Sequence, residues 1–334
     1  VSADTASNLN SALTNATSAD ALTLTVNGAT AQATDLIDLD GKTSVDVSVT
    51  ATAVSGTFAN LNNIYVTNVS NYSNLGDENI TITDTQSATN VNTILGKTTG
   101  VVTATVSADT ASNLNSALTN ATSTDALTLT ITDTSLSSLT NLLALDTKTS
   151  VAVNASSITS ITETYANLNT AYSSAGISGL GNEAVTITDT QSATNVNTIA
   201  NKTSGAVTAT VTSGAVTATL GALTNVDAND VITFTTTDTS VDASDLVALA
   251  VKVDTLGVNT VNTVTEVYNT ASLGTVVVNA LNITGNTEAV IITGGSISST
   301  DTNAIVNATS GIVTATVSAD TAANLNTNLV NATA

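Results

Sequence analysis

The sequence predicts an α/β solenoid, in which a parallel β-sheet contributes one strand and one short helix to each coil, joined by right-handed crossovers. Three observations predict this fold. The segment TITDTQSATNVNTI occurs at 81–94 and again at 186–199. Acidic residues recur about every 26 residues, a period typical of solenoids. Within each period, which we call a coil, the spacing of apolar residues changes from two to about three and a half.

A longer repeat divides the chain into units of about 105 residues. VSADTASNLNSALTNATS begins the chain and returns at 106–123, a variant occupies 317–334, and a degraded copy occupies 211–228. We therefore expect one continuous solenoid made of the units 1–105, 106–210, 211–316 and the partial unit 317–334. The first and last segments are ordinary repeats rather than polar caps, so we expect the stack to continue or to meet another copy.

The first half of a coil predicts a strand. Apolar residues alternate with threonine at 102–106, 127–131 and 185–188. This period of two is that of a half-buried strand. The apolar face should join the core, and the other face should display rows of threonine, a residue that packs well on a pleated surface.

The second half of a coil predicts a helix of about three turns. Ala111, Leu114 and Leu118 follow the spacing i, i+3 and i+7, and the leucines at 136–143 repeat it. This spacing places one apolar stripe along a helix, which should pack on the sheet.

Charged residues are predicted at both ends of these helices. Asp-Thr stands where the spacing changes, and a short carboxylate there can accept hydrogen bonds from the free N–H groups of a helix start. The predicted structural helix caps are Asp4, Asp84, Asp109, Asp133, Asp189, Asp238 and Asp320. The lysines fall near helix ends, where the helix dipole favours a cation; they are Lys42, Lys97, Lys148, Lys202 and Lys252. Glycine in KTTG and KTSG is expected to end the helix.

The polar composition leaves a second architecture open. Ser, Thr and Asn are poor helix formers, so the helices would depend on packing against the sheet. Without that packing the segments would become 3-10 turns or further short strands. The alternative fold is therefore an all-β parallel β-helix.

The composition argues against several classes of function. The net charge of -21 disfavours nucleic acids and anionic membranes as partners, and no apolar run approaches the ~20 residues that span a bilayer. The chain has no Cys, His or Arg to act as nucleophile, base or anion clamp. We therefore expect no enzyme activity, no catalytic or cofactor-binding residue and no membrane insertion.

Calcium is the cofactor that the residues leave open. The ion needs six to eight oxygen ligands, whereas only one acid in each coil is regularly placed, so capping is favoured over a calcium ladder. Candidates for single ions are the acidic residues Asp35, Asp38 and Asp40 and the pair Asp77 and Glu78.

Two sets of side chains leave an adhesive role open. Rows of threonine could order water and bind ice, although each threonine is also the expected outward partner of a buried aliphatic residue. Aromatic residues recur near the third coil of each unit, where filling a wider core gap is favoured over a carbohydrate platform. They are Phe58, Tyr65, Tyr72, Tyr165, Tyr172 and Tyr268.

The recurring segments DTASNLNSALTN, DTAANLNTNL and DALTLTITDTS resemble the Asp-Thr-Ala-x-x-Leu strand repeats of giant bacterial cell-surface proteins, notably those of marine cyanobacteria. The likeness covers nearly the whole chain and carries over no catalytic residue. It implies a secreted or cell-surface tandem-repeat protein, such as an adhesin stalk, a filament or a matrix component. The calcium-binding nonapeptide GGxGxDxUx is absent. We therefore predict a stiff extracellular rod whose partners are copies of itself, arranged end to end or laterally in a homopolymer filament.

Overall fold

The computed structural model of the protein describes residues 1–268 and 273–333 and has an α/β fold, in which short parallel strands alternate with short helices. The α-helices are α1 Ala6–Ala12, α2 Ala33–Asp40, α3 Phe58–Asn62, α4 Ala88–Leu95, α5 Ala111–Ala117, α6 Thr140–Asp146, α7 Tyr165–Ser173, α8 Ala193–Ala200, α9 Val216–Ala222, α10 Ala243–Ala250, α11 Leu273–Thr284, α12 Ser299–Ala308 and α13 Ala322–Asn328. The strands are β1 Thr25–Val26, β2 Ala31–Gln32, β3 Val47–Val49, β4 Ala53–Gly56, β5 Tyr72–Ser73, β6 Asn79–Ile82, β7 Val102–Thr105, β8 Ala126–Thr128, β9 Ser135–Leu136, β10 Val153–Asn154, β11 Ser160–Glu163, β12 Ile177–Ser178, β13 Ala184–Ile187, β14 Val207–Thr210, β15 Val231–Thr235, β16 Ser240–Asp242, β17 Thr255–Gly257, β18 Thr263–Val267, β19 Ala289–Ile297 and β20 Val313–Val317. A π-helical turn, Asn63–Thr67, and a 3-10 turn, Val69–Asn71, follow α3.

The chain forms two compact regions. Region 1 comprises Val1–Ser160 and Thr170–Leu180. Region 2 comprises Ile161–Asn169 and the described residues from Gly181 onward. Each region has its own parallel strand pairs and its own buried apolar residues.

In region 1, strands of consecutive coils lie side by side. One sheet has the order β1-β3-β5 and another the order β2-β4-β6-β7-β8. The pairing is parallel throughout these two sheets, with Thr103 opposite Ala126 and Thr105 opposite Thr128 where β7 meets β8. Neighbours in the sequence of coils are therefore neighbours in the sheet.

Region 2 follows the same rule. Strands β13, β14, β15 and β17 pair in that order, and β16, β18, β19 and β20 form a second sheet. All of these pairs are parallel. The register of β19 against β20 shifts between Ile291 and Ser296, beside Gly294, whose φ of 82° lies in the left-handed region.

The prediction of one strand in each coil is wrong for much of the chain, because two short strands often precede the helix and join different sheets. Residues with positive φ turn the backbone between them. Gly28, with φ 109°, separates β1 from β2, and Gly179 and Gly181, with φ 86° and 131°, separate β12 from β13. Such backbone angles suit glycine, and they divide one predicted sheet into several.

The predicted helices are present, despite their polar composition, but most of them are shorter than the predicted three turns. Helix α5 has two turns and ends before Leu118, its C-cap residue. Leu136 lies on β9 and Leu139 is the N-cap residue of α6, so neither belongs to the helical stripe. Most of the described helices bury a short apolar stripe, for example Leu142 and Leu145 of α6. That burial offsets poor intrinsic propensity, and the all-β alternative does not describe the structure.

Candidate functional site at the contacts between coils

Seven of the described helices have an N-terminus that is capped by a threonine or serine of their own coil. The Oγ1 of Thr110 accepts a hydrogen bond from the Asn113 N–H at 3.2 Å. The same cap recurs at Thr5, Thr57, Ser87, Ser192, Ser298 and Thr321. The sequence prediction placed the cap one residue earlier, on Asp109; the structure places it on the hydroxyl of the following threonine.

Asp4, Asp109 and Asp320 lie just before these caps and support them. Asp109 Oδ1 accepts hydrogen bonds from the Thr110 N–H at 2.7 Å and from Asn113 Nδ2 at 2.8 Å. Asp4 and Asp320 accept the equivalent two bonds. The asparagine bond first, and the backbone bond second, lower the pKa of Asp4 and of Asp109.

The other predicted capping aspartates serve the helix of the preceding coil. Asp133 Oδ2 accepts the N–H of Ala111, the first residue of α5, at 2.7 Å. Asp84, Asp189 and Asp238 accept in the same way from Phe58 at 2.8 Å, Tyr165 at 2.9 Å and Val216 at 2.8 Å. Glu266, which the sequence prediction missed, accepts from the Ser244 N–H at 3.0 Å. Burial and then the neighbouring Asp242 raise the pKa of Glu266. These carboxylates lie at helix N-termini, where the dipole favours an anion.

Lysines act at the opposite ends of the helices. Lys148 Nζ donates to the Asn115 and Leu118 carbonyls at 2.8 Å each, at the C-terminus of α5. Lys42 Nζ donates to the Leu13 carbonyl, which follows α1, at 2.9 Å. Partial burial lowers the pKa of Lys148. The sequence prediction placed lysines near helix ends, and the structure adds that these two bind the helix of the preceding coil.

In several coils, a threonine that follows the helix binds the backbone at or just before the strand of the same coil. Thr149 Oγ1 donates to the Leu127 carbonyl at 2.8 Å and accepts the Leu127 N–H at 3.0 Å. Thr43, Thr98, Thr203 and Thr309 donate to the carbonyls of Leu22, Glu78, Glu183 and Glu288. Sequence reasoning missed this contact, although Lys-Thr followed by Ser or Thr recurs at 42–44, 97–99, 148–150 and 202–204 and is its signal.

The glycine of KTTG does not end the helix. Helix α4 ends at Leu95, and Gly96 is its C-cap residue. Gly100, the glycine of the motif, lies against the preceding coil, where an added Cβ would be 2.4 Å from the Glu78 carbonyl oxygen. Glycine is therefore needed there for close approach of two backbones.

Buried carboxylates hold the turns that precede some strands. Glu78 is 2 % exposed, and its Oε2 accepts the Gly76 and Asp77 N–H groups at 2.8 and 3.1 Å. The Tyr65 hydroxyl donates to its other oxygen. Glu183 is fully buried and binds the equivalent turn. Sequence reasoning did not select these residues for this role; the recurrence of Gly-x-Glu was the available signal.

The aromatic residues do not form one exposed platform in the described chain. Tyr65 and Tyr72 are 2 % and 6 % exposed. Burial raises the pKa of both hydroxyls, and the bond to Glu78 raises that of Tyr65 further. Tyr268, in contrast, is 42 % exposed. Core packing is thus confirmed for Tyr65 and Tyr72.

The alternation predicted for the strands is confirmed. Ile82, Leu129 and Ile187 are buried, while Thr81 and Thr128 beside them are exposed. On these strands, each exposed threonine is the outward partner of a core residue.

No group of three or more His, Cys, Asp or Glu side chains arranged to hold a metal ion occurs within residues 1–268 and 273–333. Two of the candidate calcium ligands accept hydrogen bonds from protein groups: Asp40 Oδ2 accepts from Asn71 Nδ2 at 3.0 Å, and Glu78 binds its own turn. Over the same described residues, no helix has the length and apolar character required to cross a bilayer.

A scan against protein-family models, a search of curated proteins and a search of solved structures each found no match to this chain. The contacts between coils are therefore interpreted from their own geometry.

Proposed function

We propose that this chain is a structural tandem-repeat segment of an extracellular filament, adhesin stalk or surface matrix, and that it catalyses no reaction. Its coils stack as a right-handed α/β solenoid with one or two strands in each coil. The resemblance to the Asp-Thr-Ala-x-x-Leu repeats of bacterial surface proteins supports the location. Copies of the chain, placed end to end or laterally, are the proposed partners.

One observation carries this proposal: charged side chains that recur with the repeat bind backbone groups of the preceding coil, and recurring threonines tie the end of a coil to its own strand. Asp133 and Lys148 hold the two ends of α5, and Thr149 holds Leu127. Such groups would be catalytic or ligand-binding candidates in an enzyme, but each of these is engaged in contacts within or between coils. Backbone pairing between strands and an apolar core, both continuous along each region, would give the repeated sequence a mechanical role.

Immunogold electron microscopy of the native source cells tests the proposal. Antibodies raised against the purified chain should label fibres or a matrix layer outside the cell envelope, and pre-immune serum should not. Labelling confined to the cell interior would contradict it.

The exposed threonine rows favour a second function, adhesion through the outward strand face. Thr81 and Thr128 are exposed on parallel strands of one sheet. Ice-affinity partitioning and glycan-array binding of the purified chain test this function. Replacing Thr81 and Thr128 by Lys should abolish adhesion without affecting the fold, whereas a purely structural segment would bind neither ice nor glycan.

A further inference from the structure

The corner between β1 and β2 in region 1 contains a chemically reactive pair of residues. It is formed by Asn27 and Gly28, the only Asn-Gly pair in the sequence. Both residues are exposed, and Gly28 has a φ of 109°. Because glycine has no Cβ, its backbone nitrogen can approach the side-chain carbonyl carbon of a preceding asparagine with little steric hindrance.

The peptide group that joins these two residues is free of hydrogen bonds to the part of the chain that the structure describes. The Asn27 carbonyl accepts none, the Gly28 N–H donates none, and the Asn27 side-chain amide has no protein partner there either. Most backbone groups of a folded protein are paired. An unpaired, exposed N–H can lose its proton to solvent without breaking a native bond.

The backbone on both sides of this peptide group is held by neighbouring coils. The Asn27 N–H donates to the Asp4 carbonyl of the preceding coil at 3.0 Å, and the Thr52 N–H of the following coil donates to the Gly28 carbonyl at 3.2 Å. The corner therefore lies between two described coils, and Asn27 is exposed although both neighbours are in place.

A second pair in region 1 shows the opposite situation. Asp40, the last residue of α2, is the only acidic residue in the sequence that glycine follows. Its carboxyl could in principle form the same ring with the nitrogen of Gly41. The Gly41 N–H, however, donates to the Ile37 carbonyl at 3.2 Å as part of the helix C-terminus. That nitrogen would have to leave the helix before it could react.

The equivalent corners of the other units contain Thr-Asp, at 132–133 and 237–238. There the aspartate acts between coils: Asp133 Oδ2 accepts the Ala111 N–H at 2.7 Å. Gly28 supplies no such carboxylate. Unit 1 thus has a neutral pair that can lose ammonia where the other two units have a negatively charged pair that cannot.

We propose that Asn27 is a modification site, at which the folded chain loses ammonia and gains a carboxylate. The Gly28 nitrogen, after losing its proton to solvent, forms a bond to Asn27 Cγ. The Cγ–Nδ2 bond breaks, and ammonia leaves with a proton taken from water. A water molecule then opens the resulting succinimide ring at either carbonyl carbon and yields aspartate or isoaspartate, so that no oxidant or reductant is needed. The inference does not depend on the proposed function.

Incubation of the purified chain in mildly alkaline buffer, followed by cleavage after lysine and mass spectrometry, tests the proposal. The peptide 1–42 contains Asn8, Asn10, Asn15 and Asn27, so it carries its own controls. Asn27 alone should gain about 1 Da, and faster as the pH rises, because the attacking nitrogen is deprotonated. Isoaspartyl and aspartyl forms should both be present and should separate by chromatography. No gain, a gain spread over the four asparagines, or aspartate without isoaspartate would overturn the proposal.

A synthetic peptide of residues 23–32 measures the same reaction without the fold. The folded chain should react at no less than about a tenth of the peptide's rate, because no native hydrogen bond has to open first. A slower reaction in the chain would show that the fold protects Asn27, and would overturn the proposal.

Two variants separate the Asn-Gly pair from the exposed corner. Asn27→Thr introduces the residue found at 132 and should abolish the mass gain in peptide 1–42, with an unchanged circular dichroism spectrum. Thr132→Asn places an asparagine on the equivalent exposed corner but before Asp133, and this asparagine should stay unmodified. A mass gain that persists in Asn27→Thr, or an equal gain at position 132 of the second variant, would contradict the assignment to Asn27 and Gly28.

Discussion

The first and last copies of the 18-residue repeat have nearly the same sequence but different environments. In the first copy, Ala6 and Leu9 are 2 % and 3 % exposed. In the last copy, the equivalent Ala322 is exposed and Leu325 is partly exposed. Within the described residues, the first copy is followed by another coil and the last copy is preceded by one. The comparison shows that the following coil, rather than the preceding one, covers the helix stripe.

Local structure is insensitive to this difference. Thr5 caps α1 and Thr321 caps α13 with the same bond, and the preceding aspartate accepts the same pair of hydrogen bonds in both copies. Caps depend on residues within four positions of each other, so sequence alone determines them. Burial depends on a neighbour about 26 residues away.

The largest expected effect contrasts Leu114→Ala with Leu325→Ala. Leu114 of α5 is 1 % exposed. Truncation of its side chain to alanine should therefore leave a cavity and destabilise region 1 by roughly 2–5 kcal/mol. Leu325 occupies the equivalent position on an open face, and its truncation should cost less than about 1 kcal/mol. Urea unfolding followed by circular dichroism measures both. Equal losses would show that the following coil does not determine burial.

Thr149→Val should have the next largest effect. Thr149 is 6 % exposed and exchanges two hydrogen bonds with the backbone of Leu127 in β8, the strand of the same coil. Valine keeps the shape but leaves the buried Leu127 groups without this partner, which should cost about 1–3 kcal/mol. The control is Thr103→Val on the exposed face of β7, which should stay within about 0.5 kcal/mol of wild type. If Thr149→Val left the free energy of unfolding unchanged, this contact would not stabilise the region.

Asp133→Ala tests the carboxylate that caps α5 from the following coil. Loss of the bond to the Ala111 N–H should destabilise region 1 by about 0.5–2 kcal/mol. Asp133→Asn keeps an acceptor oxygen but removes the charge, so a smaller loss is expected in thermal unfolding. If Asp133→Ala and Asp133→Asn were both as stable as wild type, the carboxylate would not stabilise the neighbouring helix.

The smallest expected effect is a pH dependence at Asp109. Its hydrogen bonds hold the folded-state pKa below the usual value, so its contribution to stability is present above the unfolded pKa of about 3.9 and is lost as the pH falls through the folded pKa. Asp109→Asn keeps both bonds but cannot titrate. The difference in melting temperature between wild type and variant should therefore change between about pH 5 and pH 2. A constant difference would contradict the assigned hydrogen bonds.

Much of the fold could be predicted from periodicity. Alternation at 102–106 predicted a parallel strand, and the stripe containing Leu114 predicted a helix, because both patterns are local. The division into several sheets could not be predicted in the same way. It depends on corners at residues such as Gly28 and Gly179, where composition indicates a turn but not which sheet the chain joins next.

The candidate site shows the same limit. The sequence analysis assigned Asp133 to the start of the helix that follows it and Lys148 to the end of its own helix, because charge at a helix terminus is a local rule. The helix that each one serves belongs to the preceding coil, and only the stacking geometry identifies it. Thr149 and Glu78 escaped selection for these roles because a recurring motif does not show which backbone groups its side chains bind.

Residue-resolved amide hydrogen exchange of the unmodified chain, measured by NMR, tests most directly whether the following coil covers the core. The pentapeptide VTATV occurs at both 102–106 and 313–317, so intrinsic exchange rates are matched. The account predicts slow exchange for the Val102 and Val106 amides, which donate to Asp125 and Thr128, and fast exchange for Val313 and Val317. Equal protection of the two pairs would contradict it.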